Sequence, residues 1–572
     1  MNGDPKREWK LLVIALVVIL AGSLLANAIN TVGGSVDVKD VRWADSEGTL
    51  VSALLYIPEG VSVENPAPAM LVIGGGDTNR EAFQNWSLEF ARRGYVVLDF
   101  DKYTEGYSEG EPFDMNRAFG GPEAFRYLLS LDIIDHDNVG MMGHSMGGMA
   151  IARVATLYPD DYKAMVNVGS SPNPGSKNFA VILGVDDGTP DPALFETDDI
   201  STIEAGKTYG SFENGTAKAY YPVPFPHATE IVTTRPLRYA LDWIQDAIPA
   251  PNPISGSSQI WPWKYIGSMI AMAGLVFFFL PLGSILLRTP FFKSLVQPVP
   301  KFKGFTGKSW WIGAILTVVI PVGSLFHLHY LVQTYILPSS ALWPMDRPNG
   351  IMGWAVITGL ISVILMMVNH FVLKGDRNAI AHNYGLTSED GKIEWCNIGK
   401  SFLLAFSLFG IGYYVLVLVY RWLLVDFSVF EVSFRLLTPA RFLIVLKYLL
   451  PFMFAYIVVG ANLHGLMRLK DGSASFWREL LVNIILLAPF YLLWFPIYFG
   501  GLYAGGAEWS FGTGRIMMKD WLWSFPTMLT IVAVVSTYFY HKTGRVYVGA
   551  FLNAFLIVWP LVAGNMMGGL KF

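Results

Sequence analysis

NVGMMGHSMGGMA, residues 138–150, decides how this chain is read. It sets Ser145 between Gly143 and Gly147, with Gly148 directly behind. The run NVGMMG (138–143) has strand character, and GGMAIARVATLYP (147–159) has helical spacing and ends in a proline. A serine at so sharp a strand-to-helix turn projects from the chain, and the helix must pack closely behind it. Small residues at 143, 147 and 148 meet that requirement. The N–H of Met146, at the helix start, then points toward any negative charge that develops beside Ser145.

The surrounding chain repeats the pattern. AMLVIGGG (69–76), YVVLDFD (95–101), YKAMVNVGS (162–170) and NFAVILGV (178–185) read as strands. NREAFQNWSLEFARRG (79–94) and RAFGGPEAFRYLLSL (117–131) read as helices. Alternating strands and helices predict a doubly wound, mostly parallel α/β sheet.

A serine hydroxyl needs a base. LGVDDGTPDP (183–192) places Asp186 and Asp187 at a strand end, and the spacing from Gly184 favours Asp187, with Asp186 the alternative. A calcium loop of Asp186, Asp187 and Asp191 is a second reading of the same stretch. His227 is the one histidine that follows within this region, so it is the base by elimination as well as by position. The second oxyanion donor falls in the glycine loop after LVI: Gly76, with Asp77 the alternative.

These residues resemble the α/β-hydrolase superfamily, in particular its dienelactone-hydrolase and lysophospholipase-like members, over roughly residues 36–248. Ser145, Asp187 and His227 follow the family's chain order. LVIGGGDTNREAF is similar to the family's oxyanion segment, with Gly74 in place of the usual histidine. GYVVLDFDKYTEGYSEG is similar to the strand and loop that often read D-x-R-G-H-G-x-S, with Tyr103, Thr104 and Glu105 in place of Arg-Gly-His. The resemblance implies acyl transfer to water through an acyl-serine, without metal or cofactor. Only Pro190–Ala217 offers chain for a lid.

The rest of the chain is of another kind. Of 572 residues, 53% are hydrophobic and 15% charged, and much of such a chain belongs in lipid. The net charge of −4 suggests no nucleic-acid partner, and the single cysteine, Cys396, permits neither an internal disulfide nor a cysteine metal site. LLVIALVVILAGSLLANAI (11–29) has membrane-spanning length and follows Lys6, Arg7 and Lys10. It reads as a signal anchor, or as a signal peptide with an A-x-A site at Ala26 and Ala28. Further apolar runs lie near 262–287, 309–337, 350–373, 401–425, 442–466, 479–500, 521–540 and 547–565. The expected organisation is an anchor over 1–30, an extracytoplasmic hydrolase domain over 31–258, and a bundle of about eight transmembrane helices over 259–572.

Alternate loops are richer in Lys and Arg, as at Arg288, Lys293, Lys301, Lys303 and Lys308, or at Lys374, Arg377, Lys392 and Lys400. Intervening loops are poorer, with Arg347, with Arg435 and Arg441, and with Arg515 and Lys519. The positive-inside rule then puts the N-terminus in the cytoplasm, and the hydrolase domain and C-terminus outside a cell membrane. Polar residues fall within the spans, among them His327, His329 and Asn553. His327 and His329, two residues apart, face different sides of a helix and make a poor metal pair.

The expected function is a membrane-embedded serine hydrolase acting on an ester, lipid or thioester beside the bilayer. Two alternatives stand beside it. One is a transport or sensing protein whose hydrolase-like domain binds without turnover. The other is a peptidase or acyltransferase with the same triad.

Overall fold

A computed structural model describes residues 5–568, apart from 113, 173–174, 176, 303, 374–378, 431, 470–473 and 504–521. Lys303, Lys374, Arg377, Arg515 and Lys519, counted above for loop charge, lie outside the described residues.

The region between the first two membrane helices folds around one eight-stranded sheet. Its strands are β1 (Val36–Ala44), β2 (Leu50–Pro58), β3 (Ala67–Ile73), β4 (Val96–Asp101), β5 (Ile134–His144), β6 (Ala164–Val168), β7 (Phe179–Leu183) and β8 (Lys218–Pro222). The order across the sheet is β1-β2-β4-β3-β5-β6-β7-β8. Neighbours from β4 to β8 are parallel, while β1 and β2 form an antiparallel edge. β3, β6 and β7 are buried along their whole length, as strands covered on both faces must be.

Helices α2 (Gln84–Arg92) and α5 (Thr234–Ala247) cover one face, with Trp86, Leu237 and Trp243 packed on Met70, Val72 and Val166. Helices α3 (Gly121–Leu129) and α4 (Met146–Leu157) cover the other, with Phe125 and Ile151 packed on Leu71, Ile73 and Met141. Val72 and Ile73 thus face opposite layers, following the two-residue period of a strand. Within Pro190–Ala217, Leu194 packs into the core on the α3 and α4 side, and the later part runs beside β8 at the sheet edge, where the Gly206 N–H donates to the Tyr220 carbonyl at 2.8 Å and Tyr209 pairs with Lys218.

The remaining helices are α1 (Pro5–Asn30), α6 (Trp261–Leu286), α7 (Gly307–Leu331), α8 (Asp346–Met367), α9 (Trp395–Leu423), α10 (Pro439–Ala461), α11 (Phe476–Leu487), α12 (Trp494–Tyr503), α13 (Ser524–Thr543) and α14 (Tyr547–Gly564). Eight helical segments among the described residues are long and apolar enough to cross a membrane, which marks a multi-pass membrane protein. Nine were expected. The segment near 521–540 corresponds to α13, which is not among the eight. Its polar side chains face bundle partners: Ser536 meets His464 Nε2 at 3.0 Å, and Thr537 accepts from Asn483 at 2.9 Å. Pro489 opens a tight turn that separates α11 from α12. His327 is exposed and His329 buried, so they do face different sides of α7.

α1 and α6 pack tightly side by side through small residues. A Cβ added at Gly267 would stand 2.6 Å from Ala26 N and 2.7 Å from Gly22 O. One at Gly274 would stand 2.9 Å from Ile19 N. Without a hydrophobic force between helices in lipid, such close backbone approach supplies the contact energy. Gly267→Leu is expected to destabilise the detergent-solubilised protein by about 1–3 kcal/mol, the usual cost of overpacking. Gly323→Leu on α7, where nothing stands within 4 Å, should leave the thermal midpoint unchanged. Equal midpoints for both variants would refute the close pairing.

Candidate active site

β5 ends at His144 and α4 begins at Met146, so the whole reversal falls on Ser145. Its backbone sits at φ 52° and ψ −115°, a strained conformation for a residue with a side chain. The Ser145 N–H donates to Val168 O on β6 at 2.8 Å, which holds the turn in place. The three glycines permit it. A Cβ at Gly147 would lie 2.6 Å from Gly74 O, one at Gly143 2.5 Å from Gly147 C, and one at Gly148 3.1 Å from Asn167 Oδ1. Met146 opens the helix, so its N–H belongs to the first-turn donors that lack an intrahelical acceptor.

His227 begins a short helical turn after β8, and its Nδ1 lies 2.5 Å from Asp187 Oδ1. The other Asp187 oxygen accepts the Gly184 N–H at 2.7 Å. Asp186 plays a different part: its Oδ1 accepts the backbone N–H of His227 at 2.7 Å, so it positions the loop while Asp187 holds the ring. Burial pushes the Asp187 carboxyl upward. The His227 hydrogen bond and charge outweigh that and bring it down to about 2, which favours the carboxylate. Asp191 caps its own turn at Ala193 N, 3.0 Å away, and the three aspartates do not converge as a calcium cage.

Beneath His227 lie His144 and Glu230. The His144 and His227 rings are 4.7 Å apart, and His144 Nε2 lies 3.2 Å from His227 O. Burial, then the charge of His227, pushes His144 down to about 3, so it stays neutral and does not compete as a base. Burial and the Asp187 charge push Glu230 far above the usual carboxylate range, and it is a neutral acid behind the pair. His144, His227 and Glu230 are near enough to share a cation, but His227 Nδ1 is already engaged by Asp187.

The glycine loop after β3 passes directly over the serine: a Cβ at Gly75 would stand 3.2 Å from Ser145 Cβ. The Asp77 N–H donates to Glu105 Oε1 at 2.9 Å, so that amide is committed, whereas Gly76 packs against Met146 with a Cβ-to-Cε distance that would be 3.2 Å. Lys102 pairs with Glu105 and donates to Gly75 O at 2.7 Å. Lys102 and Glu105 therefore brace the glycine loop, from the very stretch that departs from D-x-R-G-H-G-x-S.

Two further contacts reach this loop from the membrane helices. Asp77 Oδ2 pairs with Arg347 Nε at 3.0 Å, and Asp77 Oδ1 accepts the Met566 N–H at 2.8 Å. Arg347 was legible in the sequence only as a loop residue and Met566 was not singled out, because nothing local announces a contact 489 positions away. The signal that was available for Lys102 and Glu105 was their place in the strand-end loop, where Tyr103, Thr104 and Glu105 stand for Arg-Gly-His.

Residues 18–173 match the family described as esterase FrsA-like. The eight-stranded sheet and the helices on its two faces have the α/β-hydrolase fold. Esterase FrsA of Photorhabdus laumondii is 24% identical over 154 residues, 27% of this chain and 36% of that protein. The 2,6-dihydropseudooxynicotine hydrolase of Paenarthrobacter nicotinovorans is 31% identical over 119 residues, 20% of this chain and 30% of that one. The quorum-quenching protein AidA of Acinetobacter baumannii is 33% identical over 132 residues, 22% and 41% of the two chains. The chain thus spans well under half the length of these relatives. The family match contains Gly76 and Ser145 and stops short of Asp187 and His227.

The neutral state of Glu230 has a consequence for stability. A carboxyl whose pKa is raised by folding stabilises the fold fully only below its unfolded value, about 4.3, and that contribution is lost as pH rises toward the folded value. Glu230→Gln keeps the shape and removes the titration. Its thermal midpoint should gain on the wild type steadily between about pH 5 and 8. A difference that stays constant with pH would show Glu230 ionised in the folded protein.

Proposed function

We propose that this protein is a membrane-embedded serine hydrolase that cleaves an ester, lipid or thioester on the extracytoplasmic side. The observation that carries the reading is the 2.5 Å contact of His227 Nδ1 with Asp187 Oδ1 beside the strained turn at Ser145. The likeness to esterases and hydrolases over the elbow and glycine loop supports it.

In this reading Ser145 Oγ attacks the carbonyl carbon while His227 Nε2 takes its proton. Asp187 keeps the Nδ1 proton in place and stabilises the imidazolium. The N–H groups of Gly76 and Met146 hold the oxyanion, since the amide of Asp77 is bonded elsewhere. Collapse expels the alcohol or thiol with the proton from His227 and leaves an acyl-serine. Water, deprotonated by the same histidine, then releases the acid. Loop charges support the placement of the domain outside: the loops at the bundle end remote from the sheet carry Arg288, Lys293, Lys301, Lys392 and Arg468.

A fluorophosphonate probe tests both parts. Wild type should form a serine adduct that Ser145→Ala abolishes, and Asp187→Asn should lower ester turnover by roughly 10⁴-fold, as loss of the orienting acid does elsewhere. A membrane-impermeant probe should label intact cells. Absence of any adduct ends the hydrolase reading, and labelling only after lysis puts the domain inside. Arg347→Met releases one tether of Asp77 and should cut turnover by up to about 10²-fold, the cost of a displacement near 1 Å, with little change in KM. Wild-type turnover in that variant would show that Arg347 has no positioning role.

A further inference from the structure

Glu230 is fully buried beside the triad and has no task in the mechanism above. It lies three residues after His227, in the 3₁₀ turn (His227–Val232) that His227 opens. Side chains at i and i+3 of such a turn point the same way, so Glu230 shares a side with the imidazole. His144 Nε2 lies 3.6 Å from Glu230 Oε2, too far for a hydrogen bond. Neither Glu230 oxygen meets an N–H or O–H donor among the described residues. A carboxylate buried without a donor is among the costliest groups a fold can hold. A protonated carboxyl is itself a donor and needs only an acceptor.

That acceptor is Asp187. A Cβ added at Gly184 would stand 2.9 Å from Glu230 Oε1 and 3.2 Å from Asp187 Oδ2, so the two carboxyl groups converge on one point. Asp187 Oδ1 faces His227 Nδ1, and Oδ2 accepts the Gly184 N–H at 2.7 Å. A carboxylate oxygen has two lone pairs, which leaves Oδ2 room for a second donor. Two neighbouring carboxylates repel, and a single proton between them turns the repulsion into a charge-assisted O–H···O⁻ bond. Asp187 has a donor at each oxygen and Glu230 has none, so the proton belongs to Glu230.

We propose that Glu230 is a positioning residue of the triad, which donates its carboxyl proton to Asp187 Oδ2 and so holds that carboxylate against His227. The inference rests on the hydrolase reading above and adds a fourth side chain to the machinery behind Ser145. The bond also draws charge from Asp187, so the imidazolium formed during acyl transfer is held less tightly and returns its proton more readily to the leaving group. Besides Asp187, the titratable groups that face Glu230 are Asp186 in the same loop, His227 at the head of its own turn, and His144 at the end of β5. Losing the donor leaves more charge on Asp187 and makes His227 more basic.

The test uses full-length protein in detergent, with p-nitrophenyl acetate as substrate over a range of pH. Glu230→Gln keeps an N–H donor toward Asp187, and Glu230→Leu keeps only bulk. Glu230→Leu should lower kcat about tenfold and move the acid limb of kcat/KM up by about one pH unit, the worth of one hydrogen bond to a charged group. Glu230→Gln should recover most of that loss and return the acid limb to its wild-type place. Wild-type turnover in Glu230→Leu, an equal fall in both variants, or a fall with the acid limb unmoved overturns the proposal. In case Glu230→Leu does not fold, infrared difference spectra of wild type against Glu230→Gln near neutral pH read the proton directly. A protonated-carboxyl C=O band is expected, and it should move or vanish in Asp187→Asn. No such band, or one that Asp187→Asn leaves in place, overturns the proposal. A wild type that turns over no ester and takes no fluorophosphonate refutes the hydrolase reading separately, and the infrared band still decides where the Glu230 proton lies.

Discussion

Glu81 stands between two arginines with almost no solvent access, and the two halves of the molecule meet on it. Arg80 Nε donates to one of its oxygens at 3.2 Å, and Arg435, from the loop before α10, donates to the other at 2.8 Å. Arg80 also reaches Asp40 at 2.8 Å and the Tyr420 hydroxyl at 2.9 Å, at the end of α9. Burial favours the neutral form of Glu81, yet Arg435 and Arg80 hold its carboxyl below the usual range, so the charges persist. Removing one partner from a buried pair leaves an uncompensated charge, at a cost of about 3–5 kcal/mol. Separating the halves would do so for several groups at once. The hydrolase domain and the membrane helices therefore form one folded object, not a domain on a tether.

That constraint reaches the active site through short segments. Arg80 and Glu81 lie a few residues beyond the glycine loop, and the Arg80 N–H donates to Asp101 at 3.0 Å, at the end of β4. Asp101 in turn accepts the N–H of Tyr107 at 2.9 Å and so shapes the turn that carries Lys102 and Glu105. Arg441, on α10, donates to the carbonyls of Thr104 and Gly106 at 2.9 and 3.2 Å. The turn that carries Lys102 and Glu105, which brace the glycine loop from within the domain, is thus held by contacts with both halves, and Arg347 reaches the same loop from the bundle. The cost of holding a strained loop is met by buried polar contacts that a free-standing domain would lack.

What could be read from the sequence follows from the range of the contacts involved. The elbow was legible because its demands are local: a serine at positive φ, glycines within five positions, a strand before and a helix after. Asp187 and His227 were legible as candidates because the chain order restricts them, but choosing Asp187 over Asp186 needed a count from Gly184, and the distinct task of Asp186 on the His227 backbone was invisible. β1 and β2 were not singled out, although Val36 and Val38 alternate with charged residues. The roles of Lys102, Glu105, Arg347 and Met566 were hidden because they depend on segments far apart in the chain. α13 reads as a further span from its apolar run, and Ser536 and Thr537 give it a buried polar side that lowers its average hydropathy.

The position of the sheet sets what surrounds its strand ends. The later part of Pro190–Ala217 lies along the β8 edge. The α2 face is turned toward the bundle, with Glu89 accepting the N–H groups of Ile260 and Trp261 where α6 begins. The ends of β3 and β4 then face the 344–347 loop, the β9–β10 hairpin (Phe427–Val429 and Val432–Phe434) and the chain after α14. In a soluble hydrolase those positions are open to water or to a mobile cap. Here they are filled by segments whose other ends are fixed in a helical bundle. The approach to these strand ends is bounded by bundle segments as well as by the sheet's own loops. The departures at Gly74 and at Tyr103–Glu105 fit that view: residues that elsewhere line an open rim are replaced by ones that are buried against, or bonded to, the loops that cover it.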